Sequence, residues 1–171
     1  MFKLDDRDLE ILKVLATEAR ISTAQLARRI NLSASPCWKR LERLEKAGII
    51  EGYRADIRLK KLAPHVSVFV TVELKQHRTE DFQAFERAVR DIDEITSCWA
   101  LGGGLDYLML VTTRDIDAYQ SLMDELLDQG LGVERYFTYV VTKQVKAGTA
   151  PPLDVLIPGL TGQGPSDRDD I

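Results

Sequence analysis

The chain has 171 residues, 44% of them hydrophobic and 29% charged, with a formal net charge of −4, which is ordinary globular composition for one domain or two small ones. No apolar run approaches the ~20 residues that span a bilayer, and the opening MFKLDDRDLE has none of the character of a signal peptide. Two cysteines, Cys37 and Cys98, cannot form a disulfide framework, so a reduced, cytoplasmic protein is expected.

The charge is unevenly spread. Residues 1–60 carry 13 Lys+Arg against 9 Asp+Glu, whereas residues 61–171 carry 10 against 18. Within 20–46 there are seven basic residues and two acidic ones. Positive charge is thus concentrated near the start, and the acidic remainder limits indiscriminate adhesion to polyanions.

Asp5 and Asp8 open a first helix, whose apolar positions Leu9, Leu12, Leu15, Ala16 and Ala19 recur at three and four residues. A break at Arg20–Ser22 precedes a shorter helix, TAQLARRI, with Ala24, Leu26, Ala27 and Ile30 inward. Asn31 to Ser33 forms the turn into a third helix within LSASPCWKRLERLEKAGII, residues 32–50. Ser33 or Ser35 caps its start, Pro36 fits only a first helical turn, and Gly48 ends it. Cys37, Leu41 and Leu44 make one apolar stripe. Ser35, Trp38, Lys39, Arg40 and Arg43 occupy the other face, which suits a major groove. Three helices with a tight turn before the last are a helix-turn-helix unit. The following residues, 49–57, suggest a hairpin-like wing or a departing strand.

After RLKKLAP (58–64) the period changes from 3.6 to 2. Val66, Val68, Val70, Val72 and Leu74 alternate with more polar neighbours, a strand signal. Thr79–Asp81 opens a helix with Phe82, Phe85, Val89 and Ile92 inward. Residues 95–101 read as a second strand, Gly102–Gly104 as a turn, and 106–113 as a third strand. Asp115 caps a helix with Tyr119, Leu122, Met123 and Leu126 on one face, and 133–145 reads as a fourth strand. The expected architecture is α+β: a winged helix-turn-helix in residues 1–57, a hinge at 58–64, a ferredoxin-like βαββαβ domain in 65–153 and a tail, partly disordered, in 154–171. Helices cover one sheet face, and the other is expected to pack on a second subunit.

With LDDRDLEILKVL, the SPCWKRLERLEKAGII helix, GYRADI, GGGLDYLMLV and VERYFTYVVTKQVK followed by PPL, the chain resembles the Lrp/AsnC family of transcriptional regulators over residues 4–153. The resemblance implies a homodimer formed through the sheets, an octamer built as a tetramer of dimers, double-stranded DNA as one partner, a small effector, commonly an amino acid, as another, and no enzymatic activity or cofactor.

Groove geometry then makes Ser33, Ser35, Trp38, Lys39 and Arg43 candidates for base or sugar-phosphate contact, with Arg40 on a phosphate. Thr23 and Gln25, opening the second helix, and Arg54, on the wing, are candidates for the DNA backbone. Arg40 and Arg43 could instead pair with Glu42, Glu45 or Glu51. Gly102, Gly103 and Gly104 free backbone N–H groups for an effector carboxylate, and Asp106 can pair with an ammonium group; the alternative is a plain β-turn capped by Asp106. By the resemblance this loop lies at a junction between dimers, and Tyr136 and Thr138 correspond to residues that select the effector side chain. His65, His77 and the cysteines lack metal-ligand spacing. A thiol-sensor role for Cys98 would need exposure and a lowered pKa. Two rivals remain at this stage: an architectural DNA organiser, and a tetrapyrrole decarboxylase on the same architecture.

Overall fold

The structure, a computed structural model, describes residues 3–148 and 150–158. Its described residues divide into two compact units, one of residues 3–56 together with 146–148 and 150–158, the other of residues 57–145. The described part of the C-terminal segment, which the sequence assigned partly to the sheet domain and partly to the tail, therefore clusters with the helical unit. The remaining tail lies outside the described residues.

The first unit contains α1 (Asp6–Thr17), α2 (Thr23–Arg29), α3 (Ala34–Lys46) and α6 (Leu153–Leu156). Asp5 and Asp8 close a reciprocal capping box, each side chain accepting the other's backbone N–H, which satisfies two donors at the helix start. Ile11 is fully buried, an inward position the simple stripe missed, while Ala16 and Ala24, expected inward, are exposed. Ile11, Leu26, Ala27, Ile30, Cys37 and Leu44 form the core. Arg7 donates to the Ile30 carbonyl at 2.8 Å and ties α1 to the end of α2. Asn31 takes φ +53° in the turn before α3, a conformation its short polar side chain tolerates.

Helix α3 stops by a Schellman motif. Ile49 N–H donates to Leu44 O at 3.0 Å and Gly48 N–H to Glu45 O at 2.9 Å, with Gly48 at φ +67°. The expected wing strand is not formed: residues 51–58 carry no strand and are exposed. Tyr53, Ala55 and Ile57 alternate as a strand's apolar side would, but they are exposed, and a lone two-stranded hairpin with nothing to pack on has little to hold it. The Tyr53 hydroxyl instead donates to Glu45 at 2.7 Å. In α6, Asp154 pairs with Lys13 of α1.

The second unit opens with a 3-10 turn, Leu59–Lys61, and continues β1 (Val66–Leu74), α4 (Thr79–Arg90), β2 (Ile95–Ala100), β3 (Tyr107–Thr113), α5 (Ile116–Asp128) and β4 (Val133–Val140). The sheet is antiparallel in the order β2-β3-β1-β4, as a βαββαβ chain requires. β4 ends five residues earlier than its apolar run suggested. Its register with β1 ends at Val68↔Val140, beyond which a single further bond runs from Val141 N–H to Ser67 O at 2.9 Å. Asp115 caps α5 through Ala118 N–H at 2.7 Å, while α4 starts after Arg78 with no side-chain cap.

Register separates the two faces. Val68, Val70, Val72, Met109 and Val111 pack under α4 and α5 with Phe85, Tyr119 and Met123. The opposite face carries Phe69, Thr71, Leu108, Leu110, Trp99, Phe137 and Tyr139. Trp99, Phe137 and Tyr139 are about half exposed, at 47%, 47% and 55%, and Thr71 Oγ1 is buried there without a hydrogen-bond partner.

Candidate nucleic-acid interface and effector loop

Burial of Cys37 and Leu44 fixes the rotation of α3 and turns Ser35, Trp38, Lys39 and Arg43 outward. Trp38 is 52% exposed. Ser33 is the N-cap, but its hydroxyl makes no capping bond. Arg54 is exposed on the segment after α3. At the start of α2, Thr23 is half-buried. Gln25 Oε1 accepts the Ser22 N–H and hydroxyl at 3.1 and 2.8 Å, so its amide oxygen belongs to the helix cap.

Arg40 and Arg43 reach partners the sequence reading did not supply. Arg40 Nη1 donates to both Asp5 oxygens, at 2.8 and 2.6 Å, and to Asp8 Oδ1 at 2.8 Å. Arg43 Nη2 donates to Asp8 Oδ2 at 2.5 Å. Asp8 is wholly buried, so its carboxylate depends on these cations in place of water. Partial burial raises the Asp5 carboxyl, but the bonds from Arg40 and from backbone N–H groups prevail and hold it below its ordinary 3.8. The same two aspartates raise Arg40. Lys46 pairs with Glu42 at 2.7 Å. Burial first, then the Glu45 carboxylate, pushes the Tyr53 hydroxyl up to about 12.

The glycine loop joins β2 to β3 and is exposed. Only Gly103 demands glycine conformationally, at φ +144°. Asp106 closes the loop: its carbonyl accepts Leu101 N–H at 2.8 Å and its N–H donates to Val72 O at 3.0 Å. Its Oδ2 accepts Leu74 N–H at 2.7 Å, and Oδ1 lies 3.2 Å from His77 Nε2. The sequence marked Leu74 only as an apolar strand position and His77 only as lacking metal-ligand spacing, and it connected neither to Asp106.

Tyr136 and Thr138 sit on the helix-covered side of β4, opposite Val72 and Val70. Tyr136 packs against the core, and Thr138 Oγ1 is 2.5 Å from the Tyr119 hydroxyl. The row Ala100–Tyr107–Val72–Tyr136 puts Tyr136 at the same sheet end as the glycine loop, with β1 between β3 and β4, about 10 Å across at the usual strand spacing. An open cleft of about 600 Å³ lies at the other end of the sheet, lined by Leu59, Leu62, His65, Glu94, Thr112 and Arg114. None of the expected effector residues lines it.

Cys98 is exposed, but burial of its thiol and the Glu86 carboxylate raise its pKa, the opposite of what a thiol sensor needs. Among the described residues no three His, Cys, Asp or Glu side chains gather to hold a metal, and no helix is long and apolar enough to cross a membrane.

A helix-turn-helix unit presenting a cationic helix, followed by an α+β sheet domain, defines a DNA-binding regulator with a separate ligand-binding domain. Residues 4–51 match the winged helix-turn-helix DNA-binding family, and residues 67–151 match the Lrp/AsnC ligand binding domain. The chain is 51% identical over 148 residues to the transcriptional regulatory protein DoeX of Halomonas elongata, covering 86% of this chain and 94% of that protein. It is 38% identical to the leucine-responsive regulatory protein of Escherichia coli, over 84% of this chain and 87% of that one. A transcriptional regulator of Neisseria meningitidis, solved in complex with L-Met, superposes with a TM-score of 0.82 at 32% identity, covering 90% of this chain and 99% of that one. The chain belongs to the Lrp/AsnC family of transcriptional regulators. The relatives are named as regulators and not as enzymes.

Proposed function

We propose that α3 enters the major groove with Ser35, Trp38 and Lys39 as its contact residues, Ser33 and Arg54 on flanking phosphates, and Arg43 at the groove edge. The exposed, hydrogen-bonding side of a helix anchored by Cys37 and Leu44 carries this reading. Trp38 supports it further, because a half-exposed indole beside Lys39 is more stable packed on deoxyribose than left in water. Thr23 contributes at the backbone, with Gln25 acting chiefly through its cap. Arg40 acts by holding α3 in place.

The half-bare sheet face is the dimer face, and two paired units set two recognition helices against half-sites one turn, ~34 Å, or a multiple apart. The dimers assemble further, up to an octamer. The effector is an amino acid, a reading supported by the leucine-responsive relative and the L-Met complex. Its carboxylate meets the N–H groups of Gly102, Gly103 and Gly104. Its ammonium group takes the Asp106 oxygen that now faces His77, and Tyr136 borders the side chain. Thr138 acts indirectly, through Tyr119. Such a ligand changes DNA binding only by its difference in affinity between assemblies.

The test is a thermal-shift screen of the twenty amino acids, followed by binding isotherms on a duplex selected from a random pool with the wild-type protein. One or a few amino acids should raise the melting temperature, in proportion to ln(1 + [L]/Kd), and change duplex affinity. Equal affinity for random and selected duplexes would make the protein an architectural organiser instead.

A further inference from the structure

We propose that Asp8, seconded by Asp5, is a positioning residue that sets the specificity of DNA binding by holding two arginines of the recognition helix in neutral pairs. The inference rests on the reading that α3 faces the groove. Helix α3 has four cations, Lys39, Arg40, Arg43 and Lys46. Three of them lie against carboxylates: Arg40 on Asp5 and Asp8, Arg43 on Asp8, Lys46 on Glu42. The helix offered to DNA is therefore far less positive than its sequence suggests. Attraction to phosphate is sequence-independent and grows with each cation released to it, so muting those cations favours side chains that read bases.

Burial makes the restraint durable. Asp8 has no exposed surface, and its oxygens are shared among Arg40, Arg43 and the Asp5 N–H. Withdrawing both arginines would strand a carboxylate away from water, which is strongly unfavourable. At least one arginine therefore stays with Asp8 when duplex arrives. Because Arg40 and Arg43 are one turn apart on the same flank, their common anchor also fixes the rotation of α3 on α1, and with it the direction of Ser35 and Lys39.

The experiment measures binding of wild type, Asp8→Asn, Asp5→Asn and Lys39→Ala to a mixed-sequence 30-bp duplex and to the selected duplex, across a KCl series. Asn at position 8 still accepts the Asp5 N–H but no longer neutralises an arginine. Asp8→Asn should steepen the slope of log K against log[salt] by about 0.9 for each arginine released per bound protomer, and tighten the mixed duplex by roughly three- to tenfold at 0.1 M salt. The selected duplex should gain less, so discrimination falls. Asp5→Asn, on an exposed residue, should move the same way by less, and it decides the matter alone if Asp8→Asn does not fold. An unchanged slope, or equal weakening on both duplexes, would reduce the aspartates to helix caps and overturn the proposal. Lys39→Ala keeps the two failures apart: full affinity there would remove the groove reading itself, and the proposal with it.

Discussion

The Asp106 carboxylate caps the last residue of β1, accepting the Leu74 N–H at 2.7 Å. Leu74 is fully buried, so no water can replace that acceptor. The residue expected to hold an effector ammonium is thus also part of the sheet. Asp106→Ala should cost about 1–3 kcal/mol by orphaning the N–H and abolish the amino-acid response. Asp106→Asn should keep the melting temperature near wild type, because the amide oxygen still accepts, yet lose the response. Measuring melting and effector response for both variants separates the two roles; a responsive Asp106→Asn would show that no charge is needed.

The Asp5 carboxyl is lowered in the folded chain, so its pairing with Arg40 stabilises the protein above the ordinary value of 3.8 and is lost as pH falls through the lowered one. Wild type should therefore melt above Asp5→Asn at neutral pH, with the gap closing in acid. Thermal melts from pH 7 to pH 2 check this. A gap of constant size would mean that the charge contributes nothing.

Trp99 and Phe137 lie in one register row on the open face, Trp99–Leu108–Thr71–Phe137. Phe137→Glu places a charge in the proposed dimer face without touching the covered core. It should shift the protein toward monomer in light-scattering chromatography while circular dichroism stays unchanged. Persistence of the wild-type mass would move the interface elsewhere.

Cys98 should be a slow nucleophile at neutral pH, since burial and Glu86 raise its thiol. Iodoacetamide labelling, followed by mass spectrometry, should accelerate only above the ordinary thiol range, and Glu86→Gln should speed it at fixed pH. Cys37, fully buried with its thiol likewise raised by burial, should label only on unfolding.

Periodicity exposed most of the fold, because the apolar positions of α3, β1 and α5 repeat at the spacing their elements impose. What it could not supply were the partners of charged groups. Asp8 read as a helix-start acid, and nothing local connects it to Arg40 and Arg43, 32 and 35 residues away. The face of Thr138 was equally hidden, since β4 carries aromatic residues on both sides, Tyr136 on one and Phe137 and Tyr139 on the other, and only its register with Val70 and Val72 assigns them. Residues 49–57 had the look of a wing or a departing strand, but strand formation needs a paired, half-buried surface that the exposed residues 51–58 do not have.

The chain has two tryptophans, so Trp99→Phe leaves Trp38 as the sole indole, and its fluorescence reports directly on whether the outward side of α3 touches DNA. Titration with the selected duplex should quench and blue-shift that emission, saturating at the stoichiometry found by gel shift. An emission that stays constant while the duplex binds would place the DNA on another surface.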